Sequence, residues 1–464
     1  MLAPAGVLLD RNSELPIFEQ ICAAIRSRIR SGGLGSGARL PATRALAADL
    51  GVARATVVTA YEQLVAEGYL AARRGSGYRV CAMGEVELPP DVRPPPVQEL
   101  TVQGPLLLEA GEPDMRLFPH GAWAKCVSRL CRTRPTDLLT GCGPFGHPQL
   151  RQAIAAHVRD WRGIAARPEQ VFVTSGATEA LDLCLSALAS GSGTIGVEDP
   201  GFPPIRQFAE AQGHLIRDLC LDDQGAEVPT VGDGTDVVAL TPSHQYPLGG
   251  AMSAGRRQSF VAWAAQSQGW IIEDDYDSEF RYAGRPIPAL ASVDSQGRTV
   301  YIGSFSKIFS NGLRLGYIVA PDRLVEQMRR TILRKGARAS AMPQAALADF
   351  MLQGEFYRHL RRVRRVYAER HRTLIERLGR DFADVGEVVD HHAGMQVVLH
   401  LRPGLSDSKI AAEARKNGVG VDALSSFSRR AGAFNGAVLG ACLNDLDEQQ
   451  DALQRLRRVI SSTE

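Results

Sequence analysis

Between residues 82 and 105 the chain carries Pro89, Pro90, Pro94, Pro95, Pro96 and Pro105, with almost no periodic apolar pattern. Proline lacks an amide hydrogen and has a fixed φ, so neither a helix interior nor a central strand runs through such a stretch. The 464 residues are also too many for one ordinary core. The chain is therefore expected to fold as a small head over 14–80, a semi-extended linker over 81–105 and a large body over 106–464.

Bulk properties exclude several classes. With 44% hydrophobic and 22% charged residues, the composition is that of soluble globular domains. No apolar run approaches the ~18 residues of a membrane helix, and the N-terminus lacks the basic and apolar regions of a secretion signal. Eight scattered cysteines without a CxxC pair argue against a zinc ribbon or a disulfide framework and fit a reducing cytoplasm. A cytoplasmic protein without membrane or metal partners is expected. Net charge is +2, but residues 1–80 hold ten Arg, no Lys and six acidic residues, so the head is +4 and the rest −2. A basic head is compatible with nucleic-acid contact, although such a charge occurs on many solvated domains.

Within the head, Phe18, Ile21, Cys22, Ile25 and Ile29 fall at helical spacing over 17–30, and SGGLGSG ends that helix. LPATRALAADLGVARATVVTAYEQLVAEGYL reads as two helices joined at Gly51, with Thr43 as expected N-cap of the first. The second gathers Val57, Ala60, Tyr61, Leu64 and Val65 on one face and presents small polar residues on the other. YLAARRGSGYRV then alternates like a hairpin around Gly75-Ser76-Gly77. Such a pair suits a DNA-reading helix-turn-helix with a wing. Arg54 and Thr56 are candidates for base edges, with Thr59 one turn on. Arg44 is a candidate phosphate clamp, and Arg73 and Arg74 precede a wing tip formed by Ser76 and Gly77. The alternative is a three-helix domain with solvated arginines.

The body alternates buried-strand runs (VFVT, DVVAL, WIIED, TVYIG, LGYIVA) with helical segments, which predicts an α/β sheet that is mainly parallel. From about 385, MQVVLHL, VGVDAL and AVLGACL lie among helices and suggest a smaller α+β subdomain. Lys307 follows TVYIG, with Ser304 and Ser306 before it and Arg314 after it. A lysine so placed suits a phosphorylated aldehyde: the amine forms a Schiff base while hydroxyls and arginine hold the phosphate. A surface-loop lysine is the alternative. Asp274 and Tyr276 end another strand, where a carboxylate suits a protonated ring nitrogen and a phenol suits a ring oxygen; a plain acidic strand end is the alternative. Ser175, Gly176 and Ala177 form a strand–turn–helix start that favours a phosphate. Phe202 is either a ring-stacking aromatic or a core residue.

Taken in order, SGATEAL, EDPGF, TPSHQYPLGG, EDDYDSEFRY and GSFSKIFSNGLRLGY resemble the motifs of fold-type I aminotransferases. The head run, with its LPxxR, LGVxRxTV and GSG elements, resembles the winged helix of the GntR superfamily. Together they resemble the MocR subfamily of GntR-type transcription regulators, over about 14–80 and 106–460. The resemblance implies a regulator that binds an operator in double-stranded DNA as a homodimer and senses a small effector, amine-bearing or related to vitamin B6, at a pyridoxal 5'-phosphate site. Lys307 would carry the cofactor, Asp274 and Tyr276 would hold its ring, and Ser175, Gly176, Ala177, Ser304, Ser306 and Arg314 its phosphate. Phe202 would stack on the ring, and His244 would lie beside it. Three departures stand out. Tyr246-Pro247-Leu248-Gly249 replaces the enzymes' Asn-Pro-Thr-Gly, Gly141 replaces a tyrosine, and AVLGACL lacks the arginine that anchors a substrate carboxylate. Arg429 and Arg430 lie close before that stretch. At most weak transamination is expected; an active aminotransferase with an accessory DNA-binding head is the alternative. The arginine-rich helix over 355–378 is read as a solvated or dimer-facing surface rather than a DNA contact.

Overall fold

The computed structural model describes residues 7–11, 13, 15–73, 77–82, 104–189 and 191–463. The chain divides into two compact units, Met1–Thr101 and Val102–Glu464. Most of the expected linker, like Arg74 and Ser76, lies outside the described residues.

The head consists of α1 (Ile17–Arg30), α2 (Thr43–Leu50), α3 (Arg54–Ala66) and a hairpin of β1 (Leu70–Arg73) and β2 (Gly77–Val80). Residues three and four apart share a helix face, so α1 buries Ile21, Cys22, Ile25 and Ile29 together while α3 buries Val57, Ala60, Tyr61 and Leu64. Gly51 closes α2 in the left-handed region at φ 63°, where a side chain would be strained. Thr43 does not cap α2. Ala42 holds that place, and the Thr43 hydroxyl instead accepts a bond from Arg54 Nε at 3.4 Å, tying the starts of α2 and α3 together. The hydroxyl of the fully buried Tyr61 donates to the Pro41 carbonyl at 3.1 Å.

The body holds β3 (Val171–Thr174), β4 (Thr194–Asp199), β5 (Leu215–Asp222), β6 (Gly225–Ala226), β7 (Thr235–Leu240), β8 (Trp270–Asp275), β9 (Thr299–Ser304) and β10 (Gly316–Val319). They form one sheet in the order β3-β10-β9-β8-β7-β4-β5-β6. The strands from β9 to β5 run parallel, β10 is antiparallel to both β3 and β9, and β6 closes the far edge antiparallel. Helices cover both faces, which is why these strands read as unbroken apolar runs. Val171 and Val173 face the core that holds the helix Pro148–Arg162, and Phe172 between them faces the one that holds the helix Ala177–Leu188. A second, antiparallel sheet, ordered β11 (Gly386–Val388), β12 (Gln396–Leu401), β14 (Gly436–Gly440), β13 (Asp422–Ala423), builds the smaller subdomain. The result is the large mixed, mostly parallel sheet with a small α+β subdomain that the pattern predicts. Among the described residues no helix is long and apolar enough to cross a membrane.

Candidate functional site

In a parallel α/β sheet the carboxyl ends of the strands open into a crevice, because the connections leave there in different directions. A cavity of about 230 Å³ lies at such ends. Asp274 and Tyr276 reach it from the end of β8, Ser304, Ser306 and Lys307 from the end of β9, Phe202 from beyond β4, and Thr241 and Tyr246 from beyond β7. Ser175, Gly176 and Ala177 enter from the turn after β3, Arg314 from just before β10, and Gln396 from β12 of the small sheet.

One end of this cavity has the character of an anion cradle. Gly176 caps the helix Ala177–Leu188 at φ 122°, and the first N–H groups of a helix have no partner within it. Gly316 faces Ser304 in register, and a Cβ on it would come within 2.7 Å of the Gly176 backbone. Only glycine permits that approach, which brings the helix start, Ser304 and the Arg314 loop together. The Ser175 N–H is already bonded to Glu179 at 2.7 Å. Arg314 sits at φ 49°, an unusual backbone for a side-chain-bearing residue and one that marks a constrained position.

The electrostatics of the cavity are set by burial. Asp274 is 4% exposed, and its Oδ1 has no hydrogen-bond partner. Burial first, then the neighbouring carboxylates of Asp275, Glu198 and Asp277, push it up to about 7. Burial also raises Glu198 to about 7, although Thr241 donates to it through both hydroxyl and N–H. The Lys307 amine is lowered by burial, against the opposing pull of Glu112, Asp277 and Asp274, and donates to the Gly111 carbonyl at 2.6 Å. An amine held down this way is more readily neutral and hence nucleophilic. The unpartnered Asp274 oxygen suits a protonated ring nitrogen, and the glycine-lined helix start suits a phosphate. The residues present therefore fit a pyridoxal phosphate-type group.

Ten of the eleven cofactor residues expected from sequence border this cavity: Lys307, Asp274, Tyr276, Ser175, Gly176, Ala177, Phe202, Ser304, Ser306 and Arg314. His244 does not border it. It stands behind Tyr276, whose hydroxyl meets His244 Nδ1 at 2.7 Å, and the same nitrogen lies 3.0 Å from Asp277 Oδ1. His244 thus orients the phenol. Sequence reasoning missed Gly111, Tyr246, Asn311 and Gln396. Tyr246 meets Phe202 and Tyr276 edge-on at 5.4 and 5.5 Å, and the Asn311 amide donates to both Glu112 oxygens at 2.8 Å. The Gly111 segment and β12 are far from Lys307 in sequence, and nothing local marks them. Arg429 pairs with Glu210 at 2.9 Å and Arg430 with Asp199 at 3.2 Å, so neither faces the cavity. The described residues hold no cluster of His, Cys, Asp or Glu arranged for a metal ion.

On the head, Arg44, Arg54, Thr59, Arg73 and Gly77 are exposed and Thr56 is half-buried. Arg54 opens α3 and is joined to Thr43 at the opening of α2, so the first turns of the two helices, which carry Arg44 and Arg54, lie close together. The Thr59 hydroxyl donates back to the Ala55 carbonyl at 3.1 Å. In the Glu355–Asp381 helix, Arg370 turns inward to Asp114 at 2.9 Å, while Arg361, Arg362 and Arg365 face solvent.

Two family models match the chain: bacterial regulatory proteins of the gntR family over residues 17–80, and aminotransferase class I and II over 108–434. The chain is 33% identical to the probable rhizopine catabolism regulatory protein MocR of Rhizobium meliloti, over 99% of this chain and 96% of that protein. It is 34% identical to the HTH-type pyridoxine biosynthesis transcriptional regulator PdxR of Corynebacterium glutamicum, over 99% of this chain and 100% of that one. Among solved structures, an archaeal alanine:glyoxylate aminotransferase superposes with a TM-score of 0.72 at 23% identity, over 78% of this chain and 92% of that one. At that identity the likeness establishes the fold alone.

Proposed function

The chain belongs to the MocR-type HTH regulators of the gntR family, with an aminotransferase class I and II body, and we propose that it couples the state of a pyridoxal phosphate site at Lys307 to DNA binding by its head. As a gntR-family regulator it binds DNA, and its aminotransferase fold implies pyridoxal phosphate. When bound, that cofactor supplies an electrophilic carbon for amines and a protonated ring nitrogen that draws electrons. Lys307 would hold the cofactor through its amine. Asp274 keeps the ring nitrogen protonated, and Tyr276, steadied by His244, donates to the ring oxygen. Ser175, Gly176, Ala177, Ser304, Ser306 and Arg314 hold the phosphate, and Phe202 covers the ring. The observation that carries this reading is the buried, unpartnered Asp274 oxygen bordering the same cavity as the Lys307 amine.

Arg44, Arg54, Thr56, Thr59, Arg73 and Gly77 contact DNA, and from the sequence alone Arg74 and Ser76 belong with them. The protein acts as a homodimer on repeated half-sites. An effector shifts the regulator only through different affinities for its two arrangements. Transamination is at most weak, because among the described residues the only cationic side chains bordering the cavity are Lys307 and Arg314. The deciding measurement is the absorbance spectrum of the purified full chain beside Lys307→Ala. A visible band lost in the variant supports the reading. A colourless protein that stays colourless after adding pyridoxal phosphate sinks it.

A further inference from the structure

Resting on the reading that pyridoxal phosphate occupies this cavity, its wall beyond the phosphate cradle points to the chemistry of the effector. Gln396 reaches that wall from β12, is 4% exposed, and its Nε2 has no hydrogen-bond partner. Leaving a buried amide donor unpaired is unfavourable, so the fold keeps a hydrogen-bonding position open there. Around it the surface is neutral or negative. Ala110 and Met395 border the cavity with it, and Ala110 packs in turn on a buried cluster of Val398, Leu424 and Val438. Val438 is the register partner of Val398, two residues along β12 from Gln396. Glu112, held by Asn311, is the charge that acts most strongly on the Lys307 amine. Arg314 belongs with Ser304 and Gly176 at the anion cradle. Apart from Lys307, which the cofactor engages, no cation among the described residues remains on this wall to pair with a carboxylate. A carboxylate placed there would be stripped of water beside apolar side chains and the Glu112 charge, without a counter-ion.

We infer that Gln396 is the specificity-determining residue for the effector, and that the site selects amines whose second polar group is uncharged, such as an amide or a hydroxyl, over amino acids. Gln396 bonds that neutral group, and the apolar wall excludes its anionic counterpart.

Matched pairs that differ only in this group test the idea: glycinamide against glycine, and β-alaninamide against β-alanine. Each is titrated calorimetrically into the full chain loaded with pyridoxal phosphate, whose uptake is first read from the visible band. In the wild type the amide of at least one pair should bind about tenfold or more tightly than its acid, the scale of an unpaired buried donor. Gln396→Leu should weaken binding of the amide about tenfold and so narrow the preference, and Gln396→Arg should turn it toward the acids, each with the visible band intact. A wild type that prefers the acids, that binds no member of either pair, or whose preference survives both substitutions would overturn the inference. So would a Gln396→Leu variant that loses the cofactor itself, since Gln396 would then serve the cofactor. Failure of the wild type to take up the cofactor appears before any amine is added and overturns the functional reading on which this one rests.

Discussion

Arg44, Arg54 and Arg73 of the head stand exposed to solvent, whereas Lys307, Asp274 and Gln396 of the body border a partly open cavity, two of them with hydrogen-bonding atoms left unpaired. The difference is one of dielectric. Charges in water act at long range on a polyanion, respond to salt and contribute nearly additively. Groups in a cavity act at short range, respond to pH through their shifted pKa values, and depend strongly on one another. A regulator needs both kinds, and they fail in different ways when altered.

The largest expected effects are all-or-none and fall on one region at a time. Lys307→Ala should abolish the visible band while leaving effector-free affinity for a DNA sequence, selected by the full chain from a random pool, near that of the wild type. Arg44→Ala combined with Arg54→Ala should leave the band untouched and weaken that DNA binding. The slope of log affinity against log salt should fall by about 1 for each phosphate that either arginine neutralises in the wild type. An arginine that instead reads a base edge should, when removed, cost about 1–3 kcal/mol and relax sequence preference. If Lys307→Ala alone removed DNA binding, the division of labour would be wrong.

Next comes Asp274→Asn. A hydrogen bond to a charged group contributes about 1.5–3 kcal/mol, so pyridoxal phosphate should bind about tenfold to a hundredfold more weakly, measurable by equilibrium dialysis. The same residue sharpens the contrast through pH. In the cofactor-free protein Asp274 and Glu198 both lie at about 7, above their ordinary 3.8 and 4.5. At these two sites the folded state therefore holds more protons than the unfolded chain between about pH 4 and 7, and their contribution to stability falls as pH rises through that window. Melting temperature followed from about pH 5 to 8 should decline less steeply in Asp274→Asn than in the wild type, and less steeply in the cofactor-loaded wild type than in the cofactor-free one. Equal slopes for variant and wild type would mean that the raised proton affinity lies elsewhere.

The sequence reveals the two regions unequally, for the same physical reason. Lys307, Asp274, Tyr276 and Ser175 sit at strand ends or in the turns just after them, and an apolar run followed by an unusual polar residue is visible locally. Gln396, Gly111 and Asn311 join the cavity only through tertiary packing. His244 shows the limit of motif transfer: the motif puts it beside the ring, but the structure stations it behind Tyr276 because Asp277 and the phenol share its Nδ1. β4 and β5 carry no simple signal, since β4 contains Gly196 and ends in acidic residues, and β5 alternates irregularly between exposed and buried positions. In the head, Thr43 follows the N-cap preference of its residue type, but the competing bond from Arg54 moves the helix start by one residue.

The smallest effect isolates the head from the body most cleanly. Tyr61 is fully buried in the head core, where its ring meets Tyr78 edge-on at 4.8 Å and its hydroxyl donates to the Pro41 carbonyl at 3.1 Å. Tyr61→Phe keeps the ring and removes only that bond. The accepting carbonyl precedes α2, so the bond fixes how the chain enters the helix that carries Arg44. Its loss should destabilise the head by about 0.5–1.5 kcal/mol and lower the head's melting temperature by several degrees, as a unit of this size shifts about 4–8 °C per kcal/mol. DNA affinity should fall only where the variant begins to unfold, and the visible band should not move at any temperature at which the body remains folded. A Tyr61→Phe protein that took up pyridoxal phosphate less tightly would tie the interior of the body to the core of the head, and the contrast between a salt-governed surface and a pH-governed cavity would have to give way to a single coupled unit.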